Sequence, residues 1–425
     1  MIGSLQLPGD KSISHRYAML AGIADGVSRL ENFSTGADCG STLGCLEALG
    51  CEITRSAAGA SNAPQVPAVE VEGSGKRLQA PSVPLDCGNS GSTMRMLSGI
   101  LAGQEFVSEL IGDASLSRRP MARIMTPLQA MGAEVTATDG HAPLRIRGGH
   151  LRGINYKLPV ASAQVKSCVL LAGLFADGCT EVEEPLSTRD HTELALGAFG
   201  AEVEQAGKNR WRIRGGMKLR PVHAVVPSDI STAAFFLCAA ALFAESNLIF
   251  DNLLLNPTRA ALLDVLRALG LQITVLGVEQ RHGELVGTLQ ARCGRLKGAS
   301  ISGQLSAALI DELPVLAAIA PYTSEGIEIR DAKELRVKES DRIATVAANL
   351  RAMGAQVEER EDGLRVPGNQ RLHGAELQSH DDHRIAMAFS VAALRAEGES
   401  RIHEADAARI SFPEFYTTLE TVVQR

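Results

Sequence analysis

Hydrophobic residues concentrate in one phrase that returns six times along the chain, at intervals of 67 to 78 residues. The copies are MLAGIADG from Met19, MLSGILAG from Met96, LLAGLFADG from Leu170, LCAAALFAE from Leu237, VLAAIAPY from Val315 and FSVAALRAEG from Phe389. Each copy is rich in Ala and Leu, so it predicts the end of a helix. A segment such as SNLIFDN or GIEIRD usually follows and predicts a strand.

A second phrase follows the first in five of the repeats and places a glycine between a helix and a strand. It reads LEALGCEI, LQAMGAEV, LGAFGAEV, LRALGLQI and LRAMGAQV in chain order. Glycine readily adopts the left-handed conformation that ends many helices. Each repeat is therefore predicted to run strand, helix, strand, helix and two strands. The sixth repeat stops after its second helix, PEFYTTLETVVQR, and we expect the N-terminal strand SLQLPG to complete it.

This pattern predicts an α/β fold, of the α+β kind, in which six βαβαββ repeats form two pseudo-threefold domains. The domain of repeats one to three is predicted at 14–227. The domain of repeats four to six is predicted at 1–13 plus 228–425 and includes the N-terminal strand. Two chain crossings, near Ser12–Ser14 and Pro227–Ser228, would form a hinge. A solenoid of six units is the alternative, although solenoid repeats are usually shorter and more regular.

Composition and charge restrict the partners that the protein can have. The chain has 42 basic and 49 acidic residues, a net charge of −7, and only 4% aromatic residues. These values disfavour a nucleic-acid-binding protein. The longest strongly apolar run, Ala233 to Ala244, has 12 residues, which is too short to span a bilayer. We therefore expect neither nucleic acid nor membrane as a partner.

The eight cysteines include no CxxC pair, which favours reduced and mostly buried thiols over disulfides or a zinc site. The N-terminus lacks the basic and apolar segments of a signal peptide. We therefore expect a cytoplasmic protein without a metal site. We also expect a monomer that uses no cofactor.

Small, polar or charged residues collect just before the first helix of each repeat. These segments read DKSISHR, GNSGSTMR, ASAQVK, PSDIST, QLSAALIDE and HDDHR. A helix N-terminus presents unpaired N–H groups and a partial positive charge, so it suits an anion. One such segment would be ordinary N-capping by Ser or Asp. Because several also carry Lys or Arg, the pattern favours convergence on a strongly anionic ligand.

The candidate side chains combine many cations with a few carboxylates, a set that suits phosphate-bearing substrates and acid–base chemistry. They are Lys11, Ser12, Arg16, Asn89, Ser90, Gly91, Arg95, Arg118, Arg119, Arg123, Ser162, Gln164, Lys166, Arg189, His191, Glu193, Asp311, Glu312, Lys338, Glu339, Asp341, Arg342, His383 and Arg384. Simpler interpretations remain open for several motifs. TRDHTE is compatible with a solvated charged face, ELRVKESDR with a surface charge run, and the pair Asp311 and Glu312 with a helix cap.

Eight motifs occur in the order typical of one enzyme family. They are LPGDKSISHR, GNSGSTMR, SRRPM, SAQVK, RDHTE, LRVKESDR, DHRIAM and SFPEF. Through them the chain resembles the 5-enolpyruvylshikimate-3-phosphate synthases over essentially its whole length. GDKS, SAQVK, RDHTE and NPTR further resemble the class II branch. The resemblance implies two domains of βαβαββ units, of the inside-out α/β barrel type.

The resemblance also implies a reaction and a set of contacts. The family joins phosphoenolpyruvate to the 5-hydroxyl of shikimate 3-phosphate and releases phosphate. Carried over by motif, the shikimate 3-phosphate contacts are Lys11, Ser12, Arg16, Ser162, Ala163, Gln164, Arg189, Asp311 and Lys338. The phosphoenolpyruvate contacts are Lys11, Gly91, Arg119, Gln164, Glu339, Arg342 and Arg384. We expect Asp311 to act on the 5-hydroxyl and Glu339 on the methylene carbon, and Lys11 could share the proton transfer.

The chain departs from the family at one position, and two other functions remain as alternatives. Many members carry a Lys where this chain has Ile410, with Arg409 beside it. A UDP-N-acetylglucosamine enolpyruvyl transferase usually has a Cys five residues before the Arg of its Arg-Pro pair, and Ala114 occupies that position here. A non-catalytic anion-binding scaffold would not need Asp311 and Glu339 beside so many cations.

Overall fold

The computed structural model describes residues 1–56 and 67–423 as alternating strands and helices. The helices are α1 (Lys11–Ile23), α2 (Ala37–Ala48), α3 (Gly91–Ala102), α4 (Ala122–Met131), α5 (Ala163–Gly173), α6 (His191–Ala198), α7 (Ile230–Ala241), α8 (Ala261–Leu269), α9 (Gln304–Ala308), α10 (Leu313–Ile319), α11 (Arg342–Ala352), α12 (His383–Ala393) and α13 (Phe415–Val422). Short 3₁₀ helices occupy Leu116–Arg118, Ala320–Tyr322, Lys333–Val337 and Ala405–Ile410.

The strands are short in most repeats. They are β1 (Ile2–Leu5), β2 (Asp25–Glu31), β3 (Glu52–Ser56), β4 (Ala68–Ser74), β5 (Leu85–Asp86), β6 (Val107–Ile111), β7 (Glu134–Thr138), β8 (His141–Arg147), β9 (Leu151–Arg152), β10 (Asn155–Lys157), β11 (Ala176–Asp177), β12 (Cys179–Glu183), β13 (Val203–Gly207), β14 (Arg210–Arg214), β15 (His223–Val225), β16 (Asn247–Leu254), β17 (Gln272–Arg281), β18 (Glu284–Arg292), β19 (Ala299–Ile301), β20 (Ile327–Ile329), β21 (Glu358–Arg360), β22 (Gly363–Val366), β23 (Glu376–Gln378) and β24 (Arg401–His403).

The predicted helix ends of the repeats are confirmed. The six apolar phrases lie at the ends of α1, α3, α5, α7, α10 and α12. The five glycines of the second phrase, Gly50, Gly132, Gly200, Gly270 and Gly354, have φ values of 89°, 114°, 86°, 113° and 90°. All five adopt the left-handed conformation that the sequence predicted for a helix end.

Five four-stranded sheets share one strand order. They are β15-β2-β4-β3, β5-β6-β8-β7, β10-β12-β14-β13, β1-β16-β18-β17 and β19-β20-β22-β21. In each sheet the first two strands pair in parallel, and the last two are neighbours along the chain. Parallel pairing needs a long crossover, which a helix provides. The fold is therefore a mixed α/β fold built from the predicted βαβαββ repeats.

The N-terminal strand does not complete the sixth repeat, so that prediction is wrong. β1 pairs with β16 of the fourth repeat, from Ile2 opposite Asn247 to Leu5 opposite Phe250. β15, which precedes α7, pairs with β2 of the first repeat instead. The strands before α1 and α7 therefore each pair with the strand that follows the other helix. In the sixth repeat β23 pairs with β24 alone.

The chain divides into two compact units. Unit A contains Gly9–Val226 together with the turn His282–Glu284. Unit B contains Met1–Pro8, Pro227–Arg281 and Leu285–Arg425. The sequence-based boundaries at 14–227 and at 1–13 plus 228–425, and the hinge near them, stay predictions.

Within each unit the first helix of every repeat forms the core. All residues of α7 are buried, and α1 is buried from Ile13 to Ile23. A helix that is apolar on every side must be covered on every side. The second helices are amphipathic, and α8 buries only Leu262, Val265, Leu266 and Leu269. In α1 the two residues that are not buried, Lys11 and Ser12, form the N-terminal end of the helix.

None of the helices in the described residues is both long and apolar enough to cross a membrane. The eight cysteines are free thiols, and six of them are buried.

Candidate active site

Side chains of Asp or Ser cap the N-termini of five core helices. Asp10, Ser90 and Ser162 cap α1, α3 and α5 by accepting backbone N–H groups, and Asp229 and Asp382 do the same for α7 and α12. The first turns of these helices contain no acidic residue. The partial positive charge of each helix start is therefore not neutralised within the first turn itself.

In unit A, Lys11 begins α1 and is half-buried. Its Nζ is 3.0 Å from Asp38 Oδ2, so a carboxylate that the sequence analysis missed holds it in place. Asp38 lies in the first turn of α2, where an acid is expected for the helix dipole. Because an acidic residue is ordinary there, nothing in the sequence indicated that Asp38 would pair with Lys11 at the start of α1.

Side-chain hydrogen bonds join the start of α3 to the start of α5, and another joins the loop before α3 to Arg119. Arg95 Nη1 donates to Gln164 Oε1 at 2.8 Å, and Gln164 Nε2 donates to Ser92 Oγ at 2.9 Å. Arg119 Nη2 donates to Asn89 Oδ1 at 2.7 Å. These contacts bring together side chains from GNSGSTMR, SRRPM and SAQVK.

Gly91 is the first residue of α3 and lies next to these hydrogen-bonded side chains. A Cβ there would lie 2.8 Å from Arg95 Nη1 and 3.6 Å from Arg119 Nη1. Two guanidinium groups therefore face a glycine at a helix start, which is an arrangement that suits a small anion. Ser162 and Ala163 lie at the start of α5, beside Gln164.

Arg16 is buried and holds two neighbouring helices. Its Nε donates to Thr192 Oγ1 at 2.6 Å, Nη2 donates to Ser167 Oγ at 2.8 Å, and Nη1 donates to the Ser12 carbonyl at 2.8 Å. Burial lowers the pKa of Arg16 to about 10; the charge of Glu193 opposes this shift, and that of Arg189 adds to it. Arg189 therefore lies close enough for the two guanidinium groups to repel each other.

Lys166, His191 and Glu193 are not available to a ligand, contrary to the sequence-based expectation. The Lys166 side chain is 1% exposed, and its Nζ is 2.7 Å from both Glu184 Oε1 and Glu193 Oε1. His191 Nδ1 lies 2.7 Å from Glu284 Oε1, and both side chains are buried. The alternative of a solvated charged face is also wrong for TRDHTE, because Thr188, Arg189 and Asp190 are half-buried and the rest of the motif is buried.

In unit B, Asp311 lies among three cations. Its Oδ1 is 3.9 Å from Lys338 Nζ and 3.8 Å from Arg342 Nη1, and its Oδ2 is 3.8 Å from Arg384 Nη2. Arg384 Nη1 also donates to the Asp311 carbonyl at 2.8 Å. The Asp311 side chain is 17% exposed, so a ligand can reach a carboxylate that three positive charges surround.

Glu339 lies beside the same cations. Arg342 Nη2 donates to Glu339 Oε2 at 2.6 Å, and Arg342 also pairs with Asp382. Burial alone would lower the pKa of Arg342, but the charges of Asp382 and Glu339 outweigh it and raise that pKa above its ordinary value. Because Arg342 is buried, ELRVKESDR is not a surface charge run. The sequence analysis missed Asp382, whose place before a helix indicates only a cap.

Three residues near the predicted site differ from expectation or lie apart from it. Glu312 occupies the N-cap position of α10 but makes no capping hydrogen bond, so the capping interpretation is wrong for it. Arg409 is 73% exposed and lies 3.5 Å from Asp406, its neighbour in a 3₁₀ helix. Ile410 ends that helix. Among the residues that the structure describes, no group of three or more His, Cys, Asp or Glu side chains could hold a metal ion.

Solved structures define the class of fold to which this architecture belongs. A structure of EPSP synthase from Acinetobacter baumannii, solved at 2.37 Å, superposes with a TM-score of 0.86 and 41% sequence identity. The match covers 99% of this chain and 95% of that chain. A second structure of EPSP synthase from the same organism gives a TM-score of 0.86 with 39% identity.

Sequence comparisons give the family. The family model described as EPSP synthase (3-phosphoshikimate 1-carboxyvinyltransferase) matches residues 1–419. A relative from Koribacter versatilis (strain Ellin345), named 3-phosphoshikimate 1-carboxyvinyltransferase, is 64% identical over 425 residues, which are 100% of this chain and 97% of the relative. A relative of the same name from Salinibacter ruber (strain DSM 13855 / M31) is 52% identical, covering 99% of this chain and 96% of its own. The chain belongs to the EPSP synthase family.

Proposed function

We propose that the protein transfers the enolpyruvyl group of phosphoenolpyruvate to the 5-hydroxyl of shikimate 3-phosphate and releases phosphate. One structural observation supports the proposal in addition to family membership. Asp311 and Glu339, each 17% exposed, lie beside Lys338, Arg342 and Arg384. Two accessible carboxylates among fixed cations can move protons on a substrate whose own negative charges the cations hold.

The proposed substrate contacts follow the motifs. Shikimate 3-phosphate is assigned to Lys11, Ser12, Arg16, Ser162, Ala163, Gln164, Arg189, Asp311 and Lys338. Phosphoenolpyruvate is assigned to Lys11, Gly91, Arg119, Gln164, Glu339, Arg342 and Arg384. Both substrates carry a phosphate and a carboxylate, and arginine forks bind such groups through paired hydrogen bonds.

Arg16 differs from the other proposed contacts because its guanidinium group already holds together parts of unit A. Three of its five N–H groups already donate within unit A, and one of these bonds holds the Ser12 carbonyl. A direct contact with shikimate 3-phosphate would use the second N–H of Nη1 or Nη2. Its geometry supports an additional role in fixing the start of α1, which carries Lys11 and Ser12.

The chemistry proceeds by addition and then elimination. In the addition, Glu339 gives a proton to the methylene carbon of phosphoenolpyruvate, and the 5-hydroxyl oxygen bonds to the neighbouring carbon as Asp311 takes its proton. In the elimination, Glu339 takes one proton back from the new methyl group, the carbon–carbon double bond forms again, and the bond to phosphate breaks. The proton held by Asp311 leaves with the phosphate, so both carboxyl groups return to their starting states.

Arg342 and Arg384 have a specific role in this addition and elimination. Both are buried at helix starts in unit B, and the paired carboxylate of Asp382 favours the charged form of Arg342. Fixed positive charges stabilise the negative charge that develops on the departing phosphate. We propose that Lys11 assists, as the motif resemblance implies. Its share of the proton transfer, a cytoplasmic location and a monomeric state stay predictions from the sequence.

Phosphate release with alternative acceptors tests this function. The purified protein is mixed with phosphoenolpyruvate and either shikimate 3-phosphate or UDP-N-acetylglucosamine, and each compound is also tested alone. We expect phosphate only from the pair that contains shikimate 3-phosphate. Release with the nucleotide sugar would favour the other enolpyruvyl transferase, and binding of both substrates without release would favour a scaffold.

A further inference from the structure

Unit B contains a buried carboxylate that the proposed reaction does not use. Glu312 directly follows Asp311, and its side chain is only 3% exposed. It occupies the N-cap position of α10 without accepting a capping hydrogen bond. A carboxylate is costly to bury unless charged or hydrogen-bonding partners compensate it. Its partners therefore indicate what this carboxylate does.

Those partners come from two other repeats of unit B. Ser231, in the first turn of α7, donates a hydrogen bond to Glu312 Oε1, and the same hydroxyl accepts a hydrogen bond from Arg259 Nη2. Glu312 Oε1 lies 3.7 Å from Arg259 Nη2 and 3.9 Å from Arg384 Nη1. All four side chains are buried. Glu312 therefore lies between two guanidinium groups, and a serine connects it to one of them.

Arg384 connects this buried cluster to the proposed site. Its Nη1 faces Glu312 and donates to the Asp311 carbonyl, while its Nη2 lies 3.8 Å from Asp311 Oδ2. A displacement of the Glu312 carboxylate would therefore move the Arg384 guanidinium and the peptide that carries Asp311 together.

The charges explain why both arginines are needed. Without Glu312, Arg259 would keep Asp229, 3.9 Å from its Nη2, and Arg384 would keep Asp311, but no negative charge would lie between the two buried guanidinium groups to offset their repulsion. Without Arg259, Glu312 would have Arg384 as its main counter-charge and would draw it away from Asp311. With both present, Ser231 and Arg259 bind the carboxylate on one side, and Arg384 keeps its Nη2 directed toward Asp311.

We propose that Glu312, Ser231 and Arg259 form a positioning triad that sets the orientation of Arg384 and of the Asp311 peptide. The triad does not contact substrate itself. This inference rests on the proposed function, because it predicts the triad's effect from the assignment of Arg384 to phosphoenolpyruvate. It gives the Arg of the NPTR motif a role that the motif alone does not indicate.

Glu312→Gln is the most direct test, because it removes the charge and keeps the shape. We expect the KM for phosphoenolpyruvate to rise roughly 10- to 100-fold, the range for a misplaced positioning group. The KM for shikimate 3-phosphate should change about twofold or less. Glu312→Asp keeps the charge and should recover part of the loss. A purely structural role would lower the thermal midpoint without separating the two KM values.

Glu328→Gln is the matched control. Glu328 lies on β20 of the same unit and also accepts from two arginines, Arg330 and Arg360. It is outside the proposed site, so both KM values should stay at their wild-type level. The double variant Arg259→Gln/Glu312→Gln should lose no more than the worse single variant, because the two residues act as one unit.

Two results would overturn the inference. One is a folded Glu312→Gln protein whose KM values both match the control, and the other is an equal rise in the two values. If Glu312→Gln does not fold, Ser231→Ala and Arg259→Lys replace it, and unchanged phosphoenolpyruvate kinetics in both would count against the triad. A wild-type protein without turnover would instead contradict the proposed function, so the two failures are distinguishable.

Discussion

The guanidinium group of Arg342 binds both carboxylate oxygens of Asp382. Its Nε donates to Oδ2 at 2.8 Å and its Nη2 donates to Oδ1 at 3.1 Å, and both side chains are buried. Asp382 also caps α12 by accepting the Arg384 N–H at 2.9 Å. One aspartate therefore fixes two arginines that we assign to phosphoenolpyruvate.

Asp382→Asn separates these two roles, because Asn still caps a helix but cannot form the charged pair. Breaking a buried pair costs about 3–5 kcal/mol of stability. We expect a lower thermal midpoint and a KM for phosphoenolpyruvate that rises at least about tenfold. Asp264→Asn, an exposed change on α8 of the same unit, should alter neither value. Wild-type kinetics for Asp382→Asn would show that Arg342 does not need this partner.

Asp311→Asn and Glu339→Gln test the proposed acid–base groups. General acid–base groups contribute about 10²–10⁴-fold to rate, so kcat should fall by that factor in each variant. Substrate binding, measured by calorimetry, should weaken much less. Glu361→Gln, which changes an exposed carboxylate paired with Lys333, serves as the control. Near-normal turnover in either variant would remove that residue from the mechanism.

The assigned cations should divide between the two substrates. Arg119→Ala should mainly raise the KM for phosphoenolpyruvate, and Arg189→Ala should mainly raise that for shikimate 3-phosphate. A lost hydrogen bond to a charged group typically costs about 1.5–3 kcal/mol. Arg55→Ala, at an exposed site in the same unit, should leave both constants unchanged. Equal effects of each variant on both substrates would contradict the division.

Lys166 should matter for stability in a way that a surface lysine does not. Lys166→Met leaves Glu184 and Glu193 buried without their shared counter-charge, so we expect a loss of about 3–5 kcal/mol. Lys157→Met removes a 73% exposed partner of Glu183 and should cost ~1 kcal/mol or less. Urea unfolding measures both. Replacing Glu184 and Glu193 by Gln as well as Lys166 by Met should recover much of the loss, and equal costs for the two single variants would contradict the buried cluster.

The buried His15 should make the stability of the folded protein depend on pH. Burial, followed by the charges of Lys11 and Arg16, lowers the pKa of His15 well below 6.5. Below pH 6.5 the unfolded chain therefore binds a proton that the folded chain does not. The contribution is fully present above pH 6.5 and falls by up to about 1.4 kcal/mol per pH unit as the pH drops toward the folded pKa.

The urea midpoint at pH 7.5 and at pH 5.5 measures this effect. His15→Asn keeps a polar group near Thr42, which lies 2.7 Å from His15 Nδ1, and should show a smaller decrease between the two pH values than the wild type. His141→Asn, which changes a histidine outside the core, should behave as the wild type does. An equal decrease in His15→Asn and the wild type would mean that His15 is protonated in the folded protein.

The repeat, its helix ends and the capped helix starts were predictable because they depend on neighbouring residues. Gly50 ends α2, and Ser90 begins α3, for reasons contained within a few positions of the chain. The clustering of cations at those starts was also visible, and it indicated an anionic ligand. The motif resemblance then assigned residues such as Arg119 and Arg384.

The environment of single residues was not predictable in the same way. Lys166 is buried because its partners, Glu184 and Glu193, come from later elements of the same repeat. Asp382 binds Arg342 across 40 positions of sequence. The local pattern of β1 is compatible with more than one parallel neighbour, and its pairing with β16 follows from the path of the chain between the two units.

The most direct test of the account is the product formed from both substrates in heavy water. If Glu339 protonates the methylene carbon and later removes a methyl proton, the enolpyruvyl product must carry deuterium on its methylene group, and one phosphate must appear for each product molecule. We predict both results for the wild-type protein by mass spectrometry and phosphate assay. No phosphate from the pair, or an enolpyruvyl product without deuterium, would contradict the proposed addition and elimination.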